Sequence, residues 1–152
     1  MGSKALLRIS AVLIGMHAAV HFYTYLQWQK VTDAATAAVL KDQLPAAKLS
    51  FLGITHTLAD YFSAYAYIVT LFLLLVAALI WALGDICVKF PAPGLKILIP
   101  IIIFLVVLFF YTIIFFIPGE AGFSGLAILL CSRAIVLVHK EHIDDFADKT
   151  KE

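Results

Sequence analysis

Four long apolar stretches dominate this sequence and decide what the chain can fold into. A helix that crosses a membrane needs about 20 mostly apolar residues, because each residue rises about 1.5 Å through about 30 Å of hydrocarbon. The strands of a membrane β-barrel would instead alternate apolar and polar residues, and these stretches do not alternate. The sequence therefore predicts an all-α integral membrane protein, an up-down bundle of four transmembrane helices that forms a single domain over residues 1–152. The predicted spans are residues 5–26, 61–83, 95–117 and 121–138.

Composition supports this class of protein and argues against others. Hydrophobic residues make up 63% of the chain and charged residues 14%, whereas a soluble domain has about 45–50% and about 25%. The net charge of +1 lacks the basic excess of a nucleic-acid-binding protein. Two cysteines, Cys87 and Cys131, cannot form a disulfide framework or a zinc site alone. The expected partners are the lipid bilayer and either another membrane protein or further copies of this chain, with no nucleic acid.

Charges in the connections predict the orientation of the helices. Eight Lys and Arg residues lie at the N-terminus, in the second connection and in the C-terminal region from Arg133 onward, which includes the tail at 139–152, against three in the first and third connections. The positive-inside rule then places both termini in the cytoplasm of a multi-pass protein of the cell membrane. The only long connection, an outer loop at 27–50, is expected to hold a short helix capped by Thr32. The first span is predicted to be retained rather than cleaved as a signal peptide, because His17 and His21 interrupt its apolar run.

Polar residues on the first two spans follow helical spacing. Successive positions of each series are three or four residues apart, and all of them except Ile14 carry polar groups, so each span carries one polar stripe along one face. A stripe that faced lipid would be costly, and both stripes are therefore expected to face the inside of the bundle. The first stripe comprises Ser10, Ile14, His17, His21, Thr24 and Trp28, and the second comprises His56, Asp60, Ser63, Tyr67 and Thr70.

The two stripes suggest a polar pocket that opens outward between helices 1 and 2. Imidazole and carboxylate groups of His17, His21, His56 and Asp60 would suit a transition metal. A haem could use His17 or His21 as one axial ligand. A quinone or lipid would need only an apolar slot with donors such as His21 and Tyr67, so the predicted cofactor-binding residues are His17, His21 and Tyr67. The competing interpretation is that these side chains only hydrogen-bond the helices together.

The function expected from this pocket is that of an accessory or ligand-binding subunit. The alternative is a membrane redox protein or enzyme that uses a metal, haem or quinone at the His/Asp cluster. The sequence contains no His-Glu-x-x-His or Glu-x-x-His pair, so neither the zinc-protease nor the di-iron signature supports a particular reaction.

The first helix resembles that of small bacterial four-helix membrane proteins of the DoxX-like type. The likeness rests on Arg8, Gly15 and His17, within a run that reads Gly-Met-His-Ala-Ala-Val-His, and covers mainly this helix. In that group an early arginine and a Gly-x-His-like run recur, and some members associate with quinone-linked oxidation. The resemblance implies a four-helix fold and favours a quinone or redox role over other ligands.

Overall fold

The computed structural model describes residues 2–28, 30–114 and 118–149, and most of them are helical. Residue 29, residues 115–117 at the end of the predicted third span and residues 150–152 of the predicted tail lie outside the described residues. In chain order the elements are α1 (Ser3–Trp28), α2 (Ala34–Ala38), a π-helical turn (Val39–Gln43), α3 (Leu44–Ala46), β1 (Lys48–Phe51), β2 (Ile54–Thr57), α4 (Leu58–Lys89), α5 (Pro91–Ile114) and α6 (Pro118–Lys149).

Four of these helices are long and apolar enough to cross a membrane, which makes the chain a multi-pass membrane protein. The four segments that meet this length and hydropathy are Ser3–Gln27, Leu58–Lys89, Pro91–Ile114 and Gly119–Lys140. Each contains or largely overlaps a predicted span. In the third, only 17% of the most apolar window is buried within the chain, so most of α5 presents apolar side chains outward.

The chain divides into two compact units. The first, called the core unit below, comprises Met1–His17 and Leu73–Glu152. The second, called the loop unit, comprises Ala18–Phe72. Both α1 and α4 begin in one unit and continue into the other.

The core unit is built on buried positions that recur alternately at three and four residues. This 3.5-residue period is the one that keeps a single seam of each helix facing its neighbours in a left-handed supercoil. Small side chains dominate the seam of α6 and allow helices to approach closely, as is usual in membranes. The buried seam positions are Ser3, Leu7, Ser10, Ile14 and His17 on α1, Leu73, Val76, Ile80, Leu83 and Cys87 on α4, and Glu120, Ser124, Ala127, Cys131, Ala134 and Val138 on α6.

Polar contacts join α1 to α4 at one end of the core unit. Asp85 of α4 forms ion pairs with Lys4 and with Arg8, the latter at 3.4 Å between Nη2 and Oδ2. The Arg8 guanidinium also stacks over the Trp81 ring, with Cζ 4.9 Å from the ring centroid. These side chains are partly exposed, so each pair contributes modestly to stability.

The loop unit contains the long connection and differs in detail from its prediction. The short helix begins at Ala34, and its cap is Asp33 rather than Thr32. Asp33 Oδ2 accepts hydrogen bonds from the backbone N and the hydroxyl of Thr36, at 2.8 and 2.7 Å. A carboxylate accepts both bonds at once, which explains why Asp33 takes the capping position.

A β-hairpin follows α3 and departs from the all-α prediction. Strand β1 pairs antiparallel with β2, from Lys48 opposite Thr57 to Phe51 opposite Ile54. Leu52 and Gly53 form the turn with φ angles of 52° and 79°, as a two-residue type I′ turn requires. The Leu58 backbone N donates to Ala47 O at 2.8 Å, which ties the hairpin to the first residue of α4.

Candidate functional site

A buried polar cluster lies in the core unit, where α1 meets the first turns of α6. His17 Nδ1 is 2.8 Å from the Ser124 hydroxyl, and His17 Nε2 is 3.3 Å from Glu120 Oε2. The exposed fraction is 1% for His17, 2% for Glu120 and 0% for Ser124. One imidazole is therefore held from both of its nitrogens by groups on a second helix, away from water.

Local sequence explains why these three side chains meet. Glu120 and Ser124 are four residues apart on α6 and so share one helix face. His17 is seven residues after Ser10 on the buried seam of α1. Ser10 itself contacts α6, with its hydroxyl 3.4 Å from Ala127 O and 2.9 Å from Leu6 O.

Sequence reasoning finds His17 but misses both of its partners. It places Glu120 in the turn before a span predicted to begin at residue 121, whereas α6 already begins at Pro118. The available signal is the i, i+4 spacing of Glu120 and Ser124 at the start of an apolar helix. A buried carboxylate in such a position requires a partner.

The remaining predicted site residues belong to the loop unit. Tyr67 joins an aromatic cluster with Phe22 and Tyr25, in which the ring centroids are 5.6–6.1 Å apart. His21 is half-buried on α1, one turn after His17. The cluster combines apolar ring faces with the hydroxyl groups of Tyr25 and Tyr67.

His56 and Asp60 do not lie together on one helix face, as the predicted stripe requires. His56 lies on strand β2, exposed, with its ring 6.2 Å from that of Tyr61. Asp60 Oδ2 accepts from the Thr57 backbone N at 2.9 Å and from its hydroxyl at 2.7 Å, and the Asp60 N donates to Thr57 Oγ1 at 3.1 Å. This reciprocal pattern is a capping box at the start of α4.

The predicted metal ligands have no support as a set. His17 belongs to the core unit, while His21, His56 and Asp60 belong to the loop unit. In the described part of the chain, no group of three or more His, Cys, Asp or Glu side chains is placed to hold a metal ion.

A cleft of about 220 Å³ opens in the loop unit beside the aromatic cluster. Three of the lining residues, Tyr25, Lys41 and Ser63, have polar side chains, and the others are apolar. The volume is below the roughly 300–1,000 Å³ typical of sites that enclose a whole small molecule. The lining residues are Tyr25, Leu40, Lys41, Leu44, Ala59, Phe62 and Ser63.

Comparison with known proteins gives no match: no family model, no curated protein and no solved structure is similar to this chain.

Proposed function

We propose that this membrane protein binds an amphiphilic molecule in the loop-unit cleft and acts as a ligand-binding or accessory subunit. The observation that carries the proposal is the cleft, whose lining combines apolar residues with the polar residues Tyr25, Lys41 and Ser63. Such a lining suits a molecule with a small polar head and an apolar tail. Because the cleft is small, it holds the head and the first part of the tail while the rest of the tail stays in the lipid.

Two classes of amphiphile fit the same chemistry, namely an anionic lipid and a quinone. Lys41 favours a negatively charged head through a charge-assisted hydrogen bond. Tyr25 and Ser63 can donate to a quinone carbonyl as well as to a carboxylate or phosphate. A quinone ligand would give the chain the redox role that is the alternative function.

Photo-crosslinking in lipid nanodiscs tests the proposal with two probes, a photoactivatable fatty acid and a photoactivatable quinone. The variant Ala59→Trp fills the cleft, and the matched control Ala64→Trp adds the same ring at an exposed position of the same helix. We expect Ala59→Trp to lower labelling of the cleft by about tenfold, equivalent to about 1.4 kcal/mol, and Ala64→Trp to leave it unchanged.

The probes also separate the two ligand classes. Lys41→Gln removes the ammonium group, so labelling by the fatty acid should fall while labelling by the quinone stays the same if the ligand is an anionic lipid. Labelling that both tryptophan variants lower equally, or that lies outside the lining residues, would contradict the cleft as a binding site.

We also infer an up-down bundle in the cell membrane with both termini in the cytoplasm. The eight basic residues on one side of the chain against three on the other favour this orientation. The up-down order is supported by Lys4 and Arg8 near the start of α1, which contact Asp85 near the end of α4. The contact of His17, in the second half of α1, with the first turns of α6 favours an antiparallel arrangement for that pair as well.

A further inference from the structure

The β-hairpin of the loop unit has one polar and one apolar face. Side chains alternate between the two faces of a strand, and residues paired directly across the strands share a face. On the polar face the hydroxyls of Ser50 and Thr55 form a hydrogen bond across the strands, with their oxygens 2.7 Å apart. By register, the polar face comprises Lys48, Ser50, Thr55 and Thr57, and the opposite face carries Leu49 and Ile54 together with His56.

The apolar face of the hairpin is not buried by the rest of the chain. The exposed fraction is 47% for Leu49, 60% for Ile54 and 85% for Leu52 at the turn. Large apolar side chains are stabilised when they leave water, and adjacent exposed ones mark surfaces that contact another molecule or a membrane. This face therefore needs a partner that covers it.

The backbone at Leu52 supports a role beyond folding. Its φ of 52° lies in the left-handed region, which is unfavourable for a residue that has a Cβ. Asparagine at this position, followed by Gly53, would suit the turn better. A strained position that holds an exposed leucine points to a function of that side chain, because the turn itself does not require it.

The apolar face of the hairpin continues into the exposed side of α4. The His56 ring packs edge-on against Tyr61 in the first turn of α4, with the ring centroids 6.2 Å apart. From Tyr61 onward, exposed side chains recur at helical spacing at Tyr65, Ile68 and Phe72. Because α4 is long and apolar enough to cross a membrane, this stripe contacts lipid. Tyrosines at the start of such a stripe mark the membrane–water interface, so the hairpin lies at that level.

The open edges of the hairpin limit how deeply it enters the membrane. Among the described residues the sheet has only two strands, so each strand has one edge without a neighbouring strand. Open sheet edges do not occur in the hydrocarbon region, because no water is present there to bind their N–H and C=O groups. The headgroup layer provides water and polar groups for these edges. The hairpin is therefore suited to the interfacial layer and not to the hydrocarbon.

We propose that the hairpin is an interfacial anchor whose apolar face, with Leu52 at its tip, packs against the lipid surface. Its polar face then points toward water and headgroups, where Lys48 can bind a lipid phosphate. The Leu58 backbone N donates to Ala47 O at 2.8 Å, so the anchor also holds the first residue of α4 at a fixed depth. The anchor does not depend on ligand binding in the loop-unit cleft.

A fluorescent label on a single introduced cysteine measures which face contacts lipid. Both native cysteines are buried, so the label is confined to the introduced residue. Ile54→Cys carries it on the apolar face, and the matched control Thr55→Cys carries it on the polar face at the next residue. In phosphatidylcholine nanodiscs, we expect nitroxide-labelled lipid to quench the label at Ile54→Cys several-fold more than at Thr55→Cys. Iodide added to the water should give the reverse order, and a nitroxide near the headgroup should quench more than one near the chain end.

A second variant, Leu52→Asn, separates anchoring from a purely structural role. Asparagine followed by Gly53 is a preferred pair for this turn, so the hairpin stays folded while its tip loses the apolar side chain. With the label at Ile54→Cys, adding Leu52→Asn should lower quenching by the lipid nitroxide and raise quenching by iodide. If both stay unchanged, Leu52 does not anchor the hairpin and the proposal is overturned.

Two other results would overturn the proposal. Equal quenching by iodide at Ile54→Cys and Thr55→Cys would show that both faces of the hairpin are in water. Protection of Ile54→Cys from iodide without quenching by the lipid nitroxides would show that protein covers the apolar face. Loss of that protection in nanodiscs that hold a single chain would identify the covering protein as a second copy.

Discussion

Replacing Gly94 by Ala tests how closely α4 and α5 approach each other. Gly94 lies in the first turns of α5, and only Phe90 separates the two helices in the chain. A Cβ at this position would lie 2.6 Å from Cys87 Sγ, 3.0 Å from Cys87 Cα and 3.2 Å from Cys87 N. Ordinary carbon contacts are about 3.5–4.0 Å. Two of the three contacts are with backbone, which cannot rotate away as a side chain does.

The expected cost follows from two opposing effects. Overpacking of this kind destabilises a protein by about 1–3 kcal/mol. Replacement of glycine by alanine inside a helix stabilises it by up to about 1 kcal/mol, because alanine has the higher helix propensity. We therefore expect Gly94→Ala to lower the free energy of unfolding by about 1–2 kcal/mol, combining these terms. For a chain of this size, that corresponds to a decrease in melting temperature of about 2–8 °C.

Two other glycines, both on α6, provide matched controls. At Gly122 a new Cβ would meet open space, so Gly122→Ala should raise the melting temperature through helix propensity alone. At Gly125 the new Cβ would lie 2.9 Å from Cε2 of the Phe109 ring, and the ring can turn aside. We therefore expect Gly125→Ala to fall between the other two variants.

Thermal unfolding in a single detergent, followed by circular dichroism, measures the series. The reasoning is refuted if Gly94→Ala is as stable as the wild type or if Gly122→Ala is the less stable of the two. Adding Cys87→Ala to Gly94→Ala removes the closest contact but leaves the two backbone contacts. The double variant should therefore recover only part of the loss, relative to Cys87→Ala alone.

Two further predictions concern the loop unit and the orientation. The hydrogen bonds from Thr36 lower the pKa of Asp33, so the stability that this cap gives to α2 is present above about pH 4 and is lost as pH falls through the lowered pKa. The protection of the Thr36 amide against hydrogen exchange, relative to an unfolded peptide at the same pH, should fall at low pH in the wild type and be small at every pH in Asp33→Ala. Both native cysteines are buried, so a single introduced cysteine can report on which side of the membrane a segment lies. A membrane-impermeant maleimide should label Thr32→Cys in intact cells and Lys89→Cys only after permeabilisation. The reverse pattern would contradict the proposed orientation.

The four spans can be predicted because length and hydropathy alone set them. The ends of the spans are harder to predict. The second span is predicted to begin at residue 61, whereas α4 begins at Leu58, because the Thr57–Asp60 capping box starts the helix there. The helical spacing of Asp60 from Ser63 favours a place in a polar stripe. Its local hydrogen bonds with Thr57, which a spacing argument does not weigh, give it a capping role instead.

The buried histidine can be predicted, but its surroundings cannot. Spacing places His17 on the same face as Ser10 and Ile14, and all three are buried. Which helix covers that face depends on tertiary packing between residues more than about 100 positions apart, and a single sequence does not reveal this.

The turn at Leu52 is not predicted for another reason, because an exposed leucine with positive φ is an unusual choice where Asn or Gly is expected. The similarity to DoxX-like proteins stays a prediction.

The seven-residue seam also governs how such a chain can change length in evolution. An insertion of seven residues adds about 10.5 Å to a helix, about two turns, and leaves every later seam residue on the same face of that helix. An insertion of one residue turns the following segment by about 100° and would carry His17 away from Glu120. Relatives adapted to thicker or thinner bilayers should therefore differ in helix length by whole heptads, with the polar pair kept in phase.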